Sequence, residues 1–100
     1  MSEPRFATRI EGDDCVVEAS GELDMASADA LQNVLDPLHG SVAIDLSGVS
    51  FLDSSTIRVF VLTRKRLNAE GGNLRLLRPH DVPRRAIELC GLGDWIVAEL

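Results

Sequence analysis

The chain has 100 residues, 45% of them hydrophobic and 26% charged, with a formal net charge of −6. That length suits one domain with one modest core, spanning residues 1–100, and the composition is that of a soluble globule. The acidic balance argues against nucleic acid as the main partner, and no apolar run approaches the roughly 20 residues of a membrane span.

The charge is uneven. Residues 1–53 hold 2 basic and 11 acidic side chains, whereas residues 54–100 hold 8 basic and 5 acidic ones. A surface rich in carboxylates steers a basic protein partner. The N-terminus, Met1-Ser2-Glu3-Pro4-Arg5, lacks the basic-then-apolar pattern of a secretory signal, so a cytoplasmic location is the default. Cys15 and Cys90 are isolated and the two histidines scattered, so no metal site is expected; the thiols can pair but are more often free in the cytoplasm.

In chain order, 6–10 and 15–20 read as strands joined by the turn Gly12-Asp13-Asp14. Gly21-Glu22-Leu23-Asp24 ends the second strand, and Asp24 or Ser27 caps a helix over 26–37 whose apolar face is Leu31, Val34, Leu35 and Leu38. His39-Gly40 closes it, with His39 in solvent at the helix end. Val42 to Leu46 alternates as a central parallel strand. A second helix covers 55–68, with Leu67, Phe60, Ile57 and Val61 on the arc facing the sheet. Val59 and Leu62 fall outside that arc, either under a neighbouring helix or exposed at a partner surface. The cluster Arg64-Lys65-Arg66 serves the helix C-terminal dipole and solvation. Gly71 or Gly72 supplies a left-handed stop. A strand over 73–77 follows, then a loop with Asp81 as cap, a third helix over 82–90 with the apolar stripe Val82, Ala86, Leu89 and Cys90, a Gly91-Leu92 stop, and a last strand over 95–98. The expected architecture is an α/β domain with a mixed four- to five-stranded sheet and three or four helices.

The stretch that organises this order is Val49 to Arg58, where a strand gives way to a helix through Asp53-Ser54-Ser55-Thr56. One Asp suffices to cap a helix, yet three hydroxyls follow it. A helix start also carries partial positive charge and seats a phosphate. No histidine near Ser54 in sequence acts as its base, and no Gly-rich loop with a lysine holds phosphates, so the residues favour a binding module over an enzyme.

Asp45 to Ser55, reading Asp-Leu-Ser-Gly-Val-Ser-Phe-Leu-Asp-Ser-Ser, resembles the signature of the STAS domain, in particular the bacterial anti-sigma factor antagonists. Gly21 to Asp24, Gly71 to Leu76 and Cys90-Gly91-Leu92 match further motifs in the family's order, and the resemblance runs from about Phe6 to Ile96. It implies that the unmodified chain binds an anti-sigma factor that is also a serine kinase, releasing a sigma factor. It implies phosphorylation of the serine after the aspartate, Ser54, with Ser55 and Thr56 as weaker acceptors, and resetting by a phosphatase. ATP and magnesium belong to the kinase; the chain itself needs no cofactor. Asp24 is then either a plain cap or part of an acidic partner contact beside the serine. Asp53, Ser54, Ser55, Arg58, Val59 and Leu62 complete the candidate docking surface. The family continues Gly-Leu-Gly after the two serines where this chain has Thr56-Ile57-Arg58. A non-switching STAS module, as a scaffold or a lipid-transport accessory, is the alternative.

Overall fold

The structure is a computed structural model describing residues 3–100. Five strands form one sheet in the order β1-β2-β3-β4-β5, with β1 Arg5–Glu11, β2 Asp14–Leu23, β3 Ser41–Leu52, β4 Asn73–Leu77 and β5 Ile96–Val97. The first pair is antiparallel, joined through Gly12 at a φ of 61°, and all other neighbours are parallel. Each parallel step needs a crossover, and the crossovers are α1 Met25–Leu35, α2 Ser54–Ala69 and α3 Asp81–Leu89, the last followed by a short 3₁₀ turn at Gly93–Trp95.

Strand alternation divides the sheet into two unlike faces. Val17, Ala19, Val42, Ile44, Leu46, Leu74 and Leu76 form one core with Leu31 and Leu35 of α1, Ile57, Phe60 and Leu67 of α2, and Ile87 of α3. The residues between them in sequence lie on the other face, which is ionic. There Arg75 bonds Asp14 and Ser41, Arg78 reaches Asp45 at 2.9 Å, and Arg9 pairs with Glu11 and Glu18. Val16 and Ala43 are nevertheless buried on this face, because arginine stems cover apolar surface while their heads stay paired.

The element order is as expected, and the departures have local causes. β3 runs on to Leu52 instead of stopping at Leu46, because β2 continues as its partner as far as Leu23. Two register shifts occur in that extension, between Glu18 and Ser20 and between Gly21 and Glu22. Gly21 lies there with φ 89°, and an added Cβ would sit 2.4 Å from the Glu3 carbonyl oxygen, so only glycine fits. In α3 the expected stripe is wrong. Pro83 and Ile87 are buried and Ala86 half-buried, whereas Val82, Leu89 and Cys90 are exposed, so the core contact falls on the neighbouring face. Asp81 does not cap; it stands in the first turn at φ 42°, after His80 at the N-cap. Gly71 and Gly91 close α2 and α3 with paired Schellman bonds, Gly72 N–H to Leu67 O and Leu92 N–H to Ile87 O spanning the more residues in each pair.

α2 carries the correction that bears most on function. Its buried residues are Thr56, Ile57, Val59, Phe60, Thr63 and Leu67. Val61, expected on the sheet side, is 40% exposed, and Val59 is buried at 6%. The core arc is rotated because α1 covers the second side. Arg66, one heptad beyond Val59 and so on the same side of the helix, donates to the Leu35 and Leu38 carbonyls at the end of α1. Arg66 thus serves a helix C-terminus, but the neighbour's. His39 is exposed as expected and lies 2.9 Å from Glu70. Among the described residues no helix is long and apolar enough to cross a membrane.

Candidate functional site

Two helix starts meet at the C-terminal ends of β2 and β3. Asp24 caps α1, accepting from the N–H groups of Ala26 at 3.0 Å and Ser27 at 3.3 Å, while Ser27 Oγ closes a capping box with the Asp24 N–H. Both Asp24 and Ser27 therefore act in one cap. Asp53 caps α2 in the same way, accepting from Ser55 N–H at 3.0 Å and Thr56 N–H at 3.2 Å. Its carboxylate also takes the Ser55 hydroxyl at 2.5 Å, and the backbone N–H of Met25, the first residue of α1, favours its ionised form. The Leu23 carbonyl receives the Asp53 N–H at 3.2 Å and the Thr56 hydroxyl at 3.0 Å. The Leu23 carbonyl thus ties the start of α2 to the strand end directly before Asp24, the cap of α1.

The three hydroxyls have different fates. Ser54 is exposed. Ser55 is half-buried and committed to Asp53. Thr56 is fully buried with its hydroxyl on Leu23, so the structure removes it from the phosphoacceptor candidates. A side chain where the family has glycine is thereby accounted for, since its oxygen bonds a strand-end carbonyl. Replacing Thr56 by valine, which keeps the shape and deletes the bond, should lower stability by about 1 kcal/mol. Urea denaturation of the variant checks this.

Burial alone would raise the Asp53 pKa. The Ser55 hydroxyl and the N–H groups of Thr56, Ser55 and Met25 outweigh it, so the carboxyl lies below its usual range. A carboxyl depressed on folding stabilises the fold fully above its unfolded pKa of about 3.9, and that contribution is lost as pH falls through the lower folded value. The urea midpoint should therefore lose this contribution only as pH falls below about 4, and Asp53→Asn should lack that part of the drop. At neutral pH Asp53 is ionised beside Ser54.

Of the remaining candidates, Arg58 is exposed one turn beyond Ser54 and Leu62 is 47% exposed a turn further on. Val59 is not at the surface; α1 covers it, and it leaves the docking list. Two apolar side chains join the site that sequence reading missed. Met25 is 78% exposed and Phe51 41% exposed. Met25 had a signal, as the first residue after a cap and off the apolar face of its helix. Phe51 had none, because the register shift beside Ser50 turns it outward against strand alternation. Among the described residues no group of His, Cys, Asp or Glu is arranged to hold a metal.

A mixed sheet whose parallel strand ends meet an aspartate-capped, serine-bearing helix start is the STAS arrangement. The STAS domain profile matches residues 5–100, and the chain belongs to this family. Its relatives include the anti-sigma-B factor antagonist of Bacillus subtilis strain 168, 36% identical over 86 residues, covering 83% of this chain and 79% of that protein. Among solved structures, an anti-sigma factor antagonist from Mycobacterium paratuberculosis superposes with a TM-score of 0.87 at 28% identity, covering 98% of this chain and 88% of that one. The anti-sigma factor antagonist SpoIIAA in its unphosphorylated form shares the fold, with a TM-score of 0.83 at 22% identity over 93% of this chain and 86% of that one.

Proposed function

We propose that this protein is an anti-sigma factor antagonist switched by phosphorylation. Unmodified, it binds an anti-sigma factor that is also a serine kinase, and a sigma factor is freed. The kinase then moves the γ-phosphoryl group of ATP to Ser54 Oγ; ADP leaves, and the hydroxyl proton passes to the kinase's base. The phosphorylated chain lets go, and a phosphatase hydrolyses the ester to restore it.

The observation that carries this reading is the exposed Ser54 at the start of a 16-residue helix, beside two hydroxyls already engaged. The names of the relatives support the partner class, and SpoIIAA, of the same fold, is known in an unphosphorylated and a phosphorylated form. Asp24, Asp53 and Ser55 frame the acceptor. Arg58 and Leu62 extend the docking surface along α2, and Arg58 shares a helix face with Ser54.

The test is displacement. A preformed complex of a labelled sigma factor with its anti-sigma factor should release the sigma factor on addition of the unmodified protein. Protein first incubated with the kinase and MgATP should release much less. Absence of displacement by the unmodified protein sinks the reading.

A further inference from the structure

The exposed side of α2 continues well past Arg58. Ser54, Val61 and Asn68 recur seven residues apart, with Arg58 and Lys65 between them, in one stripe down the helix. In its second half the stripe meets Trp95, the chain's single tryptophan, across a groove of about 450 Å³ lined by Val61, Arg64, Lys65, Asn68 and Trp95. The Arg64 guanidinium lies over the indole, 4.2 Å from the ring centroid. Its Nη1 is buried with no hydrogen-bond partner among the described residues. Arginine pairs elsewhere with carboxylates at positions 9, 66, 75, 78 and 84, but among the described residues neither Arg64 nor Lys65 has an ion pair.

A buried donor without an acceptor is costly. Two uncompensated cations beside an exposed valine and a stacked tryptophan, on a chain of net charge −6, are the complement of an acidic segment with an apolar side chain. We propose that this groove is a second docking point for the anti-sigma factor, occupied by an acidic segment of that partner. A carboxylate is held by Arg64 and Lys65, and the neighbouring apolar side chain lies on Val61 and Trp95. The inference rests on the proposed function, because the stripe runs unbroken from Ser54. The eleven steps from Ser54 to Lys65 span roughly 16 Å of helix, within the reach of one interface of ordinary size.

The experiment labels Trp95 with 5-fluorotryptophan, so that one ¹⁹F resonance reports on the groove, and titrates the purified anti-sigma factor. The resonance should shift on binding. Arg64→Gln should weaken binding about tenfold and Lys65→Gln about threefold, and Ser54→Asp should weaken it independently. Lys65 is exposed, so its variant folds as the wild type does, which a thermal melt verifies. If the wild type does not bind, or Ser54→Asp binds equally well, the proposed function fails and this docking with it. If the wild type binds and Ser54→Asp does not, while the resonance stays still and both groove variants bind normally, only the groove assignment falls. A resonance that shifts with the protein's own concentration alone makes a second copy the occupant and overturns the assignment.

Discussion

Replacing Ser54 by aspartate should weaken binding of the anti-sigma factor about a hundredfold, roughly 2.8 kcal/mol, while Ser54→Ala should bind like the wild type and take up no phosphate. A phosphate brings about −1.5 to −2 charges to a spot where Asp53 is already ionised and Asp24 caps the adjoining helix. The start of α2 tolerates that charge, since its first N–H groups and dipole favour an anion. The fold therefore stays put while the surface gains negative charge. A partner fitted to a neutral hydroxyl, with Met25 and Phe51 exposed nearby, meets concentrated negative charge instead. Calorimetric titration measures the affinities, and phosphosite mapping by mass spectrometry after incubation with the kinase and ATP locates the ester. Label found wholly on Ser55 would show that the exposed hydroxyl is not the acceptor.

Phe60→Ala should cost about 3–5 kcal/mol of folding stability, against the 5–15 kcal/mol that a domain of this kind possesses. Phe60 is fully buried on α2 and belongs to the core shared by the helices and the sheet. Truncation loses the transfer energy of the ring and leaves a cavity that close-packed neighbours fill only in part. Two residues on, Leu62 is almost half exposed, and Leu62→Ala should shift stability by less than about 0.5 kcal/mol. Urea denaturation of the pair separates the two faces of one helix. Similar losses in both would mean that α2 sits differently on the sheet.

That contrast also marks how far the sequence could be read. Strands, helices and their order were visible because the apolar period changes from two to 3.6 and glycines punctuate the joints. The candidate stretch at the start of α2 was visible because three hydroxyls exceed what a cap requires. The turn of α2 that exposes Val61 was hidden, because a helical wheel locates an apolar arc but leaves open which flanking residues a neighbouring helix covers, as it did for Val59 and Leu62. Of the two residues left open, α1 covers Val59 while Leu62 stays exposed, and Val61, expected on the sheet side, is exposed instead. In α3 the choice between two apolar stripes depended on which one met the core, and Ile87 with Pro83 won over Val82 with Leu89. The Thr56 bond was hidden as well, since its acceptor lies 33 residues away on another strand end. The ionic face of the sheet escaped notice because its partners are distant in sequence, as with Asp14 and Arg75.

The two margins of the sheet have a consequence of their own. β1 is an outer strand whose free backbone groups would template a strand from another molecule. Its one large exposed apolar residue, Ile10, is flanked by Arg9 and Glu11, which hold each other at 2.7 Å. On the opposite margin β5 is two residues long and meets β4 only at Leu76 and Leu77. One border is thus guarded by charge and the other by brevity, both devices that discourage strand-by-strand stacking into fibrils. On the helical side, by contrast, an exposed side chain such as Ser54 takes part in no strand pairing, so a change there leaves the sheet intact.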